Sequence, residues 1–122
     1  MTIPEITAYV MALTPDDVRR LTATEIMGWT YCRNGQPAIN LHSYQNQDGY
    51  TMSVLSWRPD IDRNQSRQVT NMIGTKSLMR LYKVFNEAFE WESHWDITPD
   101  QESRAALIAH MIHAEEAKND TN

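Results

Sequence analysis

A chain of 122 residues is long enough to bury one sizeable core and too short for two ordinary domains, and an apolar share of 41% with four Trp and five Tyr excludes general disorder. The formal net charge of −5 argues against a sequence-independent grip on duplex DNA or RNA, which rests on Lys and Arg contacts to phosphate. Cys32 is the only cysteine, which rules out an intramolecular disulfide or a thiolate metal cluster. With no leader-like start and no apolar run near about 18 residues, a cytoplasmic protein outside the membrane is expected.

In chain order, Thr2 and Glu5 form a capping box ahead of Ile6, Tyr9, Val10 and Leu13, predicting a helix near 4–13. Thr14-Pro15-Asp16-Asp17 restarts a helix, with a capping hydroxyl, a first-position proline and acids at the positive end of the dipole. A third start is predicted at Thr22, with Glu25 completing a capping box and Leu21 stapled to Ile26, and Gly28 ends it. Extended structure follows from Trp29 to Arg33. An Asn34-Gly35 hairpin, a second run from Ala38 to Tyr44, an Asp48-Gly49 turn and a third strand from Tyr50 to Trp57 come next.

Beyond Pro59, Asp62 and Gln65 open a helix with apolar Val69, Met72 and Ile73, stopped by Gly74. Leu78, Leu81, Tyr82, Phe85 and Phe89 predict a helix over roughly 76–89, with an extended Arg80 to Phe85 as the alternative. From Glu90 to Ile97 the chain alternates strictly, which predicts a fourth strand. Trp91, Ser93, Trp95 and Ile97 share one face, and Glu90, Glu92, His94 and Asp96 the other. Thr98-Pro99-Asp100-Gln101 opens a last helix with Ala105, Ile108, Ala109, Met111 and Ile112 as its buried stripe.

These elements predict an α/β fold of the α+β type, a mainly antiparallel four-stranded sheet with helices packed on it as a helix–sheet–helix sandwich. Residues 1–117 form a single domain in this reading, and 118–122 form a flexible tail.

No chemical constellation stands out. His110 and His113 lie three apart on the last helix, a spacing that suits one metal, but no cysteine or HExxH pattern supports a site, and neither metal nor other cofactor is expected. The acidic pairs Asp16/Asp17 and Asp60/Asp62 sit where helix caps want them, and Glu115/Glu116 lies near a chain end. Cys32 lies in a β-rich stretch, where it reads as a small packed hydrophobe rather than a nucleophile, so no catalytic residue is assigned. Tryptophans on alternating strands read as core. Arg33, Arg58, Arg63 and Arg67 around one pocket would instead suit a small-molecule or nucleotide-binding protein.

Three short motifs carry a resemblance: Ile26-Met27-Gly28-Trp29 entering the first strand, Trp57-Arg58-Pro59-Asp60-Ile61-Asp62 leaving the sheet, and Ser103-Arg104-Ala105-Ala106-Leu107 in the last helix. With them the chain, over about residues 20–115, resembles the phage ABA-sandwich domain family, small proteins encoded by phages and prophages. The resemblance implies a sandwich fold and no reaction or catalytic residue. The leading expectation is therefore a non-enzymatic accessory protein that binds a host or phage macromolecule, such as an inhibitor of a host defence system like CRISPR. Its partner would be a protein with a basic surface meeting Glu90, Glu92, His94 and Asp96, the four side chains set opposite Trp91 and Trp95. A homo-oligomer is compatible with the same reading.

Overall fold

The structure, a computed structural model, describes residues 1–33, 42–73, 83 and 97–120. Helix α1 (Ile3–Met11) starts as its sequence dictates. The Thr2 hydroxyl accepts from Glu5 N at 3.3 Å, and the Glu5 carboxylate accepts from Thr2 N at 3.1 Å. Those bonds hold the Glu5 carboxyl below the usual carboxylate range. Ile6 and Val10, one turn apart, are buried. Helix α2 (Pro15–Leu21) begins on Thr14, whose hydroxyl accepts from Asp17 N at 3.2 Å.

The predicted third helix start does not form. Leu21 and Thr22 keep helical dihedrals, and α2 runs directly into one π turn, Thr22–Ile26, with Met27 N donating to Thr22 O at 3.0 Å. A capping residue must leave the helical region to turn its side chain onto the backbone, and Thr22 is committed elsewhere. Its hydroxyl donates to the Val18 carbonyl at 2.8 Å and accepts from Trp57 Nε1 at 3.1 Å. Gly28 ends the turn at φ +71°, where Trp29 N reaches back to Ala23 O at 3.0 Å.

The described sheet is a three-stranded antiparallel meander of β1 (Thr30–Arg33), β2 (His42–Gln45) and β3 (Thr51–Ser53). Tyr31 faces Tyr44 across the first pair and Tyr44 faces Met52 across the second. Aromatic and apolar side chains thus share one face, while Thr30, Gln45 and Thr51 share the other. The Asp48-Gly49 turn forms with Asn46 Oδ1 accepting from both Asp48 N and Tyr50 N. The third strand is shorter than the β-forming residues from Tyr50 to Trp57 suggest. Ser53 Oγ accepts from Leu55 N, Val54–Ser56 tighten into a 3₁₀ turn, and Trp57 is fully buried rather than extending the ladder.

Helix α3 (Arg63–Met72) is capped by Asp62 Oδ1, which accepts from Asn64 N and Gln65 N. Gln65 does not complete a capping box. Its side chain accepts from Arg58 N and donates to Ser56 O, which ties the preceding loop down. Val69 and Ile73 are buried, but Met72 is exposed.

Helix α4 (Pro99–Asp120) opens with the predicted box, in which Thr98 and Gln101 exchange bonds at 3.0 and 3.1 Å. Its burial is broader than one stripe, because every residue from Glu102 to Ala109 is buried, around the whole circumference. Helices α1, α2 and α3 and the π turn all pack on it, so α4 is the axis of the described core. The sheet joins through aromatics, with the Trp29 ring 4.7 Å from that of Trp57 and 6.2 Å from that of Tyr44.

The result is a mixed α+β fold. The Asn34-Gly35 turn, the Gly74 stop, the helix expected over 76–89 apart from Lys83, and the strand expected from Glu90 to Ile97 apart from the buried Ile97 lie outside the described residues. Among the described residues, no helix is long and apolar enough to cross a membrane.

Candidate functional site

The feature most like a binding site is a cleft of about 240 Å³ between α1, the π turn and α4. Leu107, His110, Met111 and Ala114 supply one wall, at the i, i+3, i+4, i+7 spacing that puts four side chains on one helix face. Leu21 and Glu25, four apart across the start of the π turn, supply the second wall, and Tyr9 on the flank of α1 closes the third side. Because Thr22 caps nothing, Glu25 has no capping duty and stays exposed at the rim.

His110 is the half-buried polar group of this cleft. Burial pushes its imidazole below the ordinary histidine value; the Glu25 carboxylate opposes that shift, and His113 adds to it. At neutral pH the ring is therefore uncharged, and the carboxylate of Glu25 is the formal charge on the lining. The two arginines nearest in sequence are held by other acids. Arg19 makes a bidentate bond to Asp60 at 2.7 and 2.9 Å, and Arg20 pairs with Asp17 at 3.1 Å. The Asp60 bond raises the already high pKa of Arg19.

A second, smaller cleft of about 90 Å³ lies on the sheet, lined by Trp29, Tyr44, Asn46, Tyr50, Thr51 and Met52. Beside it the Tyr31 ring stacks on His42 at 5.5 Å, and Tyr50 is largely exposed.

The other charged groups hold elements together. Glu102, buried on α4, accepts from the Ser66 hydroxyl and pairs with Arg63 at 3.4 Å and Arg67 at 3.2 Å, clamping α3 to α4. The Arg63 contact is an ion-pair distance without hydrogen-bond geometry at Nη1, while Nη2 donates to Ile97 O. Arg104 bonds Asp100 on its own helix and donates through Nη1 to Val10 O at 2.8 Å, across 94 positions of sequence. Ser103 Oγ donates to Pro59 O at 2.9 Å.

These bonds decide the fate of the candidates read from sequence. Arg63 and Arg67 converge on Glu102 rather than on a pocket, Arg58 Nε donates to Leu55 O, and the side chain of Arg33 lies outside the described residues. Asp60 is an ion-pair partner and Asp62 a helix cap. His110 enters the cleft while His113 is exposed. Among the described residues, no group of three His, Cys, Asp or Glu is placed to hold a metal ion. Cys32 is partly buried with its thiol 3.7 Å from Thr30 O. The proposed partner residues Glu90, Glu92, His94 and Asp96 lie outside the described residues.

The grouping of Tyr9, Glu25 and His110 was missed by sequence reasoning. Its one sequence signal is the helical spacing of Leu107, His110, Met111 and Ala114, which places a histidine on an otherwise apolar face. Compared with family models, curated proteins and solved structures, the chain matches none.

Proposed function

We propose that this chain is a phage- or prophage-encoded accessory protein that works by binding a macromolecule, with a component of a host defence system such as CRISPR as its class of target. One observation carries the binding part of the reading: the described clefts, about 90 and 240 Å³, are smaller than the roughly 300–1,000 Å³ of sites that enclose small molecules. Openings of that size suit single anchoring side chains of a protein partner. Asp60, Asp100 and Glu102 are meanwhile paired with Arg19, Arg104 and Arg63/Arg67 in contacts that hold elements together. The phage origin rests on the resemblance of the motifs at Met27-Gly28-Trp29, Trp57 to Asp62 and Ser103 to Leu107. A fourth strand from Glu90 to Ile97, completing a helix–sheet–helix sandwich, belongs to the same proposal.

The net charge of −5 favours a basic partner. The test is affinity capture by the full chain from bacterial lysate, with nuclease-treated and untreated arms and mass spectrometry of both protein and small molecules. Stoichiometric recovery of one protein supports the reading. Recovery of a metabolite alone would replace it with a sequestering function.

A further inference from the structure

We infer that the cleft between α1, the π turn and α4 receives an arginine side chain of the partner, its guanidinium on Glu25 and its stem on Leu107 and Met111. This inference rests on the macromolecular binding reading above and adds a place and a chemistry to it.

Four features select that occupant. The walls contributed by Leu21, Leu107 and Met111 are apolar, which suits the methylene stem of a long cation but gives no reason by itself for a charged tip. The carboxylate of Glu25 supplies that reason. It stands exposed at the rim, with Arg19 and Arg20 already held by Asp60 and Asp17, and no described residue forms an ion pair with it. The uncharged imidazole of His110 leaves the attraction of Glu25 for a cation unopposed, and an aromatic residue, Tyr9, lines the same cleft, a residue type to which guanidinium groups are attracted.

Arginine is favoured over lysine because its planar fork bonds a carboxylate through two parallel N–H groups, and because it loses less hydration on entering a partly apolar site. An acidic or purely apolar side chain would leave Glu25 repelled or unpaired. The π turn is part of the device, since such turns insert one residue into a helix and recur where a side chain must be presented for function.

The test is an NMR titration of the full chain with N-acetyl-arginine amide, run beside its uncharged analogue N-acetyl-citrulline amide. Saturable shifts at Tyr9, Glu25, His110 and Met111 with the arginine compound are expected, with a Kd on the order of 1 mM for so small a probe. The bound cation also lowers the pH at which the His110 ring protonates. In Glu25→Gln, whose exposed side chain caps nothing, binding weakens about tenfold while the spectrum stays folded. Equal shifts with citrulline, shifts confined to other surface acids such as Asp48, or no saturable shift at all would each overturn the assignment. Failure here, with a protein still recovered by affinity capture, rejects this cleft and leaves the binding reading standing. Failure to capture any macromolecule rejects the reading itself.

Discussion

Replacing Arg104 with Met should unlatch α1 from the central helix. Arg104 is 8% exposed, and its guanidinium spans two elements, bonding Asp100 at 2.9 Å on α4 and the carbonyl of Val10 at 2.8 Å at the end of α1. The last turn of α1 carries no basic residue of its own, so Arg104 supplies the positive charge that a helix C-terminus favours. Methionine keeps the stem and its packing but removes the donors. A hydrogen bond from a charged donor contributes about 1.5–3 kcal/mol. Two effects reduce the loss: Val10 O still accepts from Leu13 N at 3.2 Å, and Asp100, with 39% of its side chain exposed, is resolvated. The expected net cost is about 2 kcal/mol, or roughly 6–10 °C in Tm for a domain of this size. Thermal and urea unfolding measure it, and hydrogen exchange should show faster exchange in α1 than in α3. A variant within about 0.5 kcal/mol of the parent would refute the reasoning, showing that the desolvation cost of the guanidinium cancels its bonds.

The lowered pKa of His110 makes stability depend on pH. Its folded-state value lies below 6.5, so the contribution is fully present above pH 6.5 and is lost as pH falls through the folded value. His110→Leu should flatten that part of the stability profile in urea unfolding, against the opposing background of Glu25 and His113; an unchanged slope would contradict the assignment. Gly28→Ala should cost about 1–2 kcal/mol, because φ is +71° and the added Cβ would stand 2.9 Å from Gln47 Nε2, displacing its bonds to Met27 O and Gly28 O. Gly28→Asn, which tolerates that backbone better, should recover part of the loss in the same melt. Duplex DNA should show no tight, steeply salt-dependent binding in an anisotropy titration, and finding it would overturn the argument from net charge.

How far the fold could be read from sequence depended on whether its signals were local. Thr2 with Glu5, Thr14 ahead of Pro15, Asp62 ahead of Arg63 and Thr98 with Gln101 each open a helix as expected, because a cap satisfies backbone donors within one turn of itself. Asp48-Gly49 turns the chain for the same reason. The third strand and the last helix were misjudged where a distant partner decides. β3 stops at Ser53 as the chain delivers Trp57 to Thr22, 35 positions away, and nothing within the strand announces that bond. On α4, Glu102, Ser103 and Arg104 look like a solvated face, yet they are buried. Each finds its partner on another element: Ser66 with Arg63 and Arg67, Pro59, and Val10.

The cleft escaped the sequence for a related reason. Thr22-Ala23-Thr24-Glu25 satisfies the capping-box pattern, and a pattern of that kind assigns the glutamate to the backbone. What defeats it is the Trp57 indole, which needs an acceptor when buried and takes the Thr22 hydroxyl. With that hydroxyl turned inward the backbone stays helical, the helix bulges by one residue, and Glu25 is left at the rim of a pocket otherwise closed by Tyr9, His110 and Met111. The bond that fixes the core is thus also the one that frees the carboxylate, and both depend on a tryptophan far beyond Glu25 in the sequence. The exposed position of Glu25 can therefore be recognised only once the partner of Trp57 is known.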